Sequence, residues 1–342
     1  MEGKNWRSRA ATLGAILAVL AGPWCSPARA APDAPAAGYR LPGDSRTFAI
    51  DYVAHVRAVP AGSKKLRVWL PVPQDSAAQT ITGLKFSLPP LLATEPAHGN
   101  RIASWEIPNP SGDVELSMHF VCTRREIRTR LDAVADDGVD PAGAFARYVQ
   151  PDRLGIVNPA ITDLSTHITA GRRTTLARAR AIYDYVLAHM RYDKSQPGWG
   201  TGSTEFACAT GRGNCTDFHA LFMSLCRAQG IPCEFEIGLY LPYERYSNEP
   251  VGGYHCWASF RVPGKAWVPV DCSEASLHQE RREFFFGNHS DNRVTLSVGR
   301  DLILVPAPAG PPLNFFLNPY AEADGQPVTA EKSWSFADLD AS

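Results

Sequence analysis

The sequence predicts an α+β protein whose β-rich part comes first. Strand-like blocks fill residues 46–130, helical periodicity begins only after Asp140, and three more strand-like blocks follow in succession instead of alternating with helices. The 342 residues leave room for about two domains, and 44% hydrophobic with 20% charged residues is an ordinary globular composition.

Taken in order, Lys4, Arg7 and Arg9 precede an apolar run at 10–22 that is too short to span a bilayer. Ala28 and Ala30 are the small residues a signal peptidase reads. Residues 1–30 are therefore expected to be an export signal cleaved after Ala30, with the mature chain in the periplasm; an uncleaved anchor is the alternative. Pro23 and Trp24 argue against Cys25 as a lipoprotein cysteine. The Pro/Ala-rich stretch 31–45 reads as a disordered leader. Within 46–130, "TFAIDYVAHVRAV", "KKLRVWLPVP" and "DVELSMHFVCTRREI" carry β-branched and aromatic residues in rough alternation, punctuated by Pro and Gly-Asn. An antiparallel sandwich or half-barrel is expected.

The second domain is expected over 140–279. In "TTLARARAIYDYVLAHMRYD" (174–193), Leu176, Ala179, Ile182, Tyr183, Val186 and Met190 share one helical face, with Thr174 or Thr175 as N-cap. Residues 197–213 read as loop. A helix from Cys215 to Ala228 follows, capped by Asn214 and ended by Gly230 and Pro232, with Phe218, Leu221, Phe222 and Leu225 as its buried stripe. Strands are expected at "CEFEIGLYL", "YHCWASFRV" and "KAWVPVD". Residues 280–342, short strands among Pro-rich turns, read as a C-terminal extension.

A formal net charge of −1, without Lys/Arg runs interleaved with aromatics, argues against nucleic acid as a partner. Of the eight cysteines, seven remain after Cys25 leaves with the signal, so at least one cannot pair within the chain. Cys215 falls at a helix N-terminus, where unpaired N–H groups and the helix dipole favour a thiolate and could hold an oxyanion. His255 and Asp271 lie on consecutive strands. A loop at 262–264 or 261–265, with Gly264 at φ > 0, would set them directly opposite on one face, as base and orienting group. A helix-start cysteine is often a small buried hydrophobe, and a strand histidine a hydrogen-bonded core residue; spacing alone leaves these readings open. His219 shares the helix face of Cys215 but reads as structural, and Asp217 as a carboxylate on the helix dipole. Trp199, Tyr254 and Trp257 either line a cleft or pack. A metal site is the rival chemistry, but Cys208, Cys215, Cys226 and Cys233 stand 7, 11 and 7 residues apart with no C-x-x-C pair. No metal or other cofactor is expected.

Three blocks, "ARAIYDYVLAHMRYD", "GRGNCTDFHALFMSLCRAQGIPCEFEIG" and "YHCWASFRVPGKAWVPVDCSEA", resemble the transglutaminase-like superfamily over roughly residues 174–275. The resemblance implies a papain-like α+β core with an N-terminal antiparallel β domain, and a triad of Cys215, His255 and Asp271. Thr216 stands where crosslinking members carry Trp, and nothing resembles their calcium sites, which puts crosslinking itself in doubt. The expected function is cysteine acyl transfer on peptide or side-chain amide bonds, with cell-wall peptides among the substrates and no stable membrane insertion. The alternative is a silent periplasmic binding or scaffolding protein on the same fold. Alternation places Cys256 and Cys272 opposite His255, away from the cleft, and Cys215 is expected to be a free thiol.

Overall fold

The computed structural model describes residues 40–41, 44–136, 138–242 and 253–339. The expected signal segment and most of the leader lie outside them. The first domain is a β-sandwich. Its strands are β1 (Ser45–Val56), β2 (Lys65–Val72), β3 (Gln79–Phe86), β4 (Leu91–Thr94), β5 (Arg101–Pro108) and β6 (Val114–Arg125). Alternation in β1 buries Phe48, Ile50, Tyr52, Ala54 and Val56, and β6 answers with Leu116, Met118, Phe120 and Cys122. The register pairs Phe48 with Cys122 and Tyr52 with Met118, so both sets face one core. Tyr52 is tolerated there because its hydroxyl donates to the Leu317 carbonyl at 2.9 Å.

The second domain packs helices on a four-stranded antiparallel sheet. Its helices are α1 (Pro159–Ile168), α2 (Thr175–His189), α3 (Thr204–Thr210), α4 (Cys215–Ala228) and α5 (Cys272–Leu277). The sheet holds β7 (Cys233–Tyr240), β8 (His255–Val262), β9 (Ala266–Val270) and β10 (Arg293–Val298) in the order β9-β8-β7-β10. Thr174 caps α2 by accepting from the Ala177 N–H at 3.1 Å. α3 interrupts the expected 197–213 loop; it is capped by Ser203 and ended by Gly211 at φ 59°.

α4 is not amphipathic in the expected sense: every residue from Cys215 to Arg227 is buried. Phe218, Leu221, Phe222 and Leu225 do face core, but the other faces are covered by α1, α2, α3 and α5. The polar side chains there are satisfied inside the protein, as where the Ser224 and Thr204 hydroxyls meet at 2.7 Å.

The tail is not an appendage. Beyond Glu280, β10 closes the second domain's sheet, while β11 (Tyr320–Ala323), β12 (Gln326–Pro327) and β13 (Ala330–Asp338) return to the sandwich. β13 pairs with β1 from Ala330↔Val56 to Asp338↔Phe48, and β11 pairs with β2. Two side-chain amides join the domains. Gln79 Nε2 donates to Thr295 O at 3.0 Å and its Oε1 accepts from the Thr295 N–H at 2.9 Å. Asn100 does the same at Val298, with both bonds 2.8 Å. The outer edge of β10 is thereby covered.

Candidate active site

The site grows from the start of α4. Gly213, at φ 148°, leads into it, and a Cβ there would sit 2.3 Å from Asp217 Oδ2, so only glycine fits. Asn214 is the N-cap. Its Oδ1 accepts from the Thr216 N–H at 3.0 Å and its Nδ2 donates to the Tyr254 hydroxyl at 2.7 Å. Asp217 completes a capping box by accepting from the Asn214 N–H at 3.0 Å. Cys215 is thereby the first helical residue, where its N–H has no intrahelical acceptor.

Asp217 does more than complement the dipole. It also accepts from the Gly200 N–H at 2.7 Å and the Gly202 N–H at 2.9 Å, so it ties the 198–202 loop to α4. Arg300 holds that loop from the other side, donating to Gly202 O at 2.9 Å. Asp217→Ala would orphan three backbone N–H groups, each costing about 1–3 kcal/mol. A loss of at least ~3 kcal/mol is therefore expected by denaturant titration. A loss below ~1 kcal/mol would show that the loop is held otherwise.

His255 opens β8, and its Nε2 lies 2.7 Å from Asp271 Oδ2, which leaves Nδ1 as the ring nitrogen available to the neighbouring Cys215 thiol. The hairpin register is two residues from the expected one. Val262 pairs with Ala266 and Ala258 with Val270, around a 263–265 turn with Gly264 at φ 66°. Carried one residue further, this register would set position 257, not 255, opposite 271. An even shift preserves the face, so His255 and Asp271 still meet, diagonally. They meet because Asp271 has left the strand to cap α5, where its Oδ1 accepts from the Glu274 N–H at 3.0 Å.

The charges follow from this geometry. Burial alone would raise the Cys215 thiol, but hydrogen bonds with Cys256 and His255 and the His255 charge bring it down to about 6. Burial would lower His255, but the Asp271 charge and hydrogen bond, then that of Cys215, carry it up to about 10. Burial would raise Asp271, but the charges of His255 and Arg293 hold it well below the usual carboxylate range.

His219 is held by two backbone groups. Its Nδ1 donates to Cys215 O at 2.7 Å and its Nε2 accepts from the Cys272 N–H at 3.1 Å, which fixes one neutral tautomer. Burial lowers it to about 4, despite Asp271 nearby. Trp257 packs, fully buried between His255 and Arg293, while Trp199 is 38% exposed beside Lys194.

Cys256 corrects an expectation. It does lie on the face of β8 opposite His255, but that face carries the start of α4. Its thiol interacts with that of Cys215 and lies 3.6 Å from His219 Nδ1, so it belongs to the surroundings of Cys215. All seven cysteines from Cys122 to Cys272 are free thiols. Among the described residues, no three His, Cys, Asp or Glu side chains converge as metal ligands.

Sequence reading missed Arg293. It is fully buried, and its Nη1 donates to Asp271 Oδ2 at 2.9 Å. Thr295 follows it two residues on, so the alternation reads as a solvent face and gives no sign of the layer that covers it.

Residues 162–272 match the family model of the transglutaminase-like superfamily. An uncharacterized protein of Haemophilus influenzae is 25% identical over 324 residues, covering 80% of this chain and 85% of its own. A solved structure from Cytophaga hutchinsonii, called "a Putative Cysteine Protease", is similar with a TM-score of 0.56 at 13% identity, covering 89% of this chain and 94% of that one. The latter similarity shows a shared fold.

Proposed function

We propose, for a chain that carries a transglutaminase-like core, that it is a cysteine acyl-transfer enzyme acting on peptide or side-chain amide bonds. The convergence of Cys215, His255 and Asp271 carries this reading. The Cys215 thiolate attacks the carbonyl carbon, and the oxyanion is received by the Cys215 backbone N–H at the start of α4. The C–N bond breaks as His255 gives its proton to the leaving nitrogen, leaving a thioester. Water or an amine then attacks the thioester while His255 takes the incoming proton, and the thiolate leaves. Asp271 holds the imidazole in the required tautomer throughout. An export signal over 1–30 and the periplasm as the site of action belong to the same proposal; no helix among the described residues is long and apolar enough to cross a membrane.

One observation favours a silent binding protein on this fold: Cys215 is only 1% exposed. The two readings separate in one experiment. Native chain and Cys215→Ser are incubated with muropeptides and mixed envelope peptides, with and without an added amine, and the products are weighed by mass spectrometry. Gain of water at an amide, or exchange of ammonia for the amine, is expected with the native chain alone. Peptides that are retained but unchanged by both would support the silent reading.

A further inference from the structure

Asp271 is an ionised group with no contact with solvent, and so is the arginine beside it. Its Oδ2 receives two donors, His255 Nε2 at 2.7 Å and Arg293 Nη1 at 2.9 Å. The two differ in one respect. An imidazolium gives up its proton during turnover, and a guanidinium never does.

We infer that Arg293 is the permanent counter-ion of the triad, a positioning residue that keeps Asp271 a carboxylate while His255 is neutral; this rests on the catalytic reading above. In that cycle His255 becomes neutral once it has protonated the leaving nitrogen. A fully buried carboxylate with no other cation would then be an isolated charge, several kcal/mol out of balance, and would take up a proton. A carboxylic acid at this place donates to the imidazole instead of accepting from it, which selects the wrong tautomer for the second half of the reaction.

Among the described residues, no other group around Asp271 can fill this role. His219 Nε2 is 3.7 Å from Oδ1, but it is neutral and already accepts from Cys272. The Ser273 hydroxyl at 3.1 Å and the Glu274 N–H at 3.0 Å donate to Oδ1 without carrying charge. His289 turns its Nε2 to Val270 O at 3.1 Å, and burial, then the Arg293 charge, keeps it neutral. Arg293 itself is held on three sides. Its Nη2 donates to Ser290 Oγ at 3.1 Å, and its guanidinium carbon lies 4.8 Å from the centre of the Trp257 ring. That ring stands two positions along β8 from His255, so the strand that carries the base also braces the counter-ion, which opens β10.

The test needs no substrate. In His255→Ala, with aspartate labelled by carbon-13 at the carboxyl, the Asp271 signal (assigned with Asp271→Asn) is expected to stay at its ionised position from pH 8 down to about 4, roughly the ordinary aspartate value. Protonation of Asp271 between about pH 5 and 8 would overturn the inference whether or not the chain turns over a substrate. A second measurement uses the pH dependence of Cys215 alkylation. Arg293→Met removes a positive charge beside His255, so the alkaline limb is expected to move up by about one unit, a tenfold change in proton affinity, while Arg293→Lys leaves it in place. A limb that stays put in Arg293→Met, with only the amplitude reduced, would mean the residue is structural. If Arg293→Met does not fold, the carbon-13 result decides.

Discussion

Cys215→Ser is expected to lower turnover by a factor on the order of 10⁶, the scale seen when a nucleophile is removed from a working triad. The fold should barely notice. Serine keeps a donor and acceptor for His255 at the first position of α4, and the Asn214 and Asp217 capping bonds do not involve the side chain at 215. Steady-state rates on whichever amide proves to be a substrate, with melting curves of the same preparations, check both halves. Retained activity with a large fall in melting temperature would make Cys215 a packing residue.

Asp271→Ala should have the largest effect on stability. It strips the partner from the buried Arg293, removes the Nε2 acceptor of His255 and deletes the N-cap of α5. Breaking a buried ion pair on one side costs about 3–5 kcal/mol, and the cap about 1 more. The loss should depend on pH. The folded-state pKa of His255 is raised to about 10, so its contribution is fully present below the unfolded value and fades as pH rises through about 10. Asp271 is depressed, so its contribution is present above the unfolded carboxylate value and is lost only as pH falls through its low folded value. The gap between native and Asp271→Ala, measured by denaturant titration, should thus be widest between the unfolded carboxylate and imidazole values, about pH 4 to 6.5, and narrow from there toward pH 10. A gap that widens with rising pH would contradict the ion-pair description.

Much of this site was legible because its parts are local. Asn214, Cys215 and Asp217 are one helix start, and the N-cap at Thr174 follows from a single turn. His255 and Asp271 share a hairpin, whose parity survived a register error of two residues because the strand period is two. What escaped was non-local. β10 and β13 complete sheets begun far earlier in the chain, and no pattern inside 280–342 says which edge they join. Arg293 and Arg300 look like ordinary polar positions until the layers above them are known. Cys256 was assigned to the correct face of β8, but what that face meets depends on how α4 packs on the sheet.

The most direct measurement is the rate of iodoacetamide alkylation against pH, with peptide mapping of the modified cysteine. The other thiols are poor competitors at acidic pH, since burial raises those of Cys122, Cys208, Cys226, Cys256 and Cys272. Cys215 should be alkylated in the folded chain with a midpoint near 6, and the signal should vanish in Cys215→Ser. A midpoint at or above the ordinary thiol value of about 8.5, or reaction only on unfolding, would contradict an activated nucleophile at Cys215.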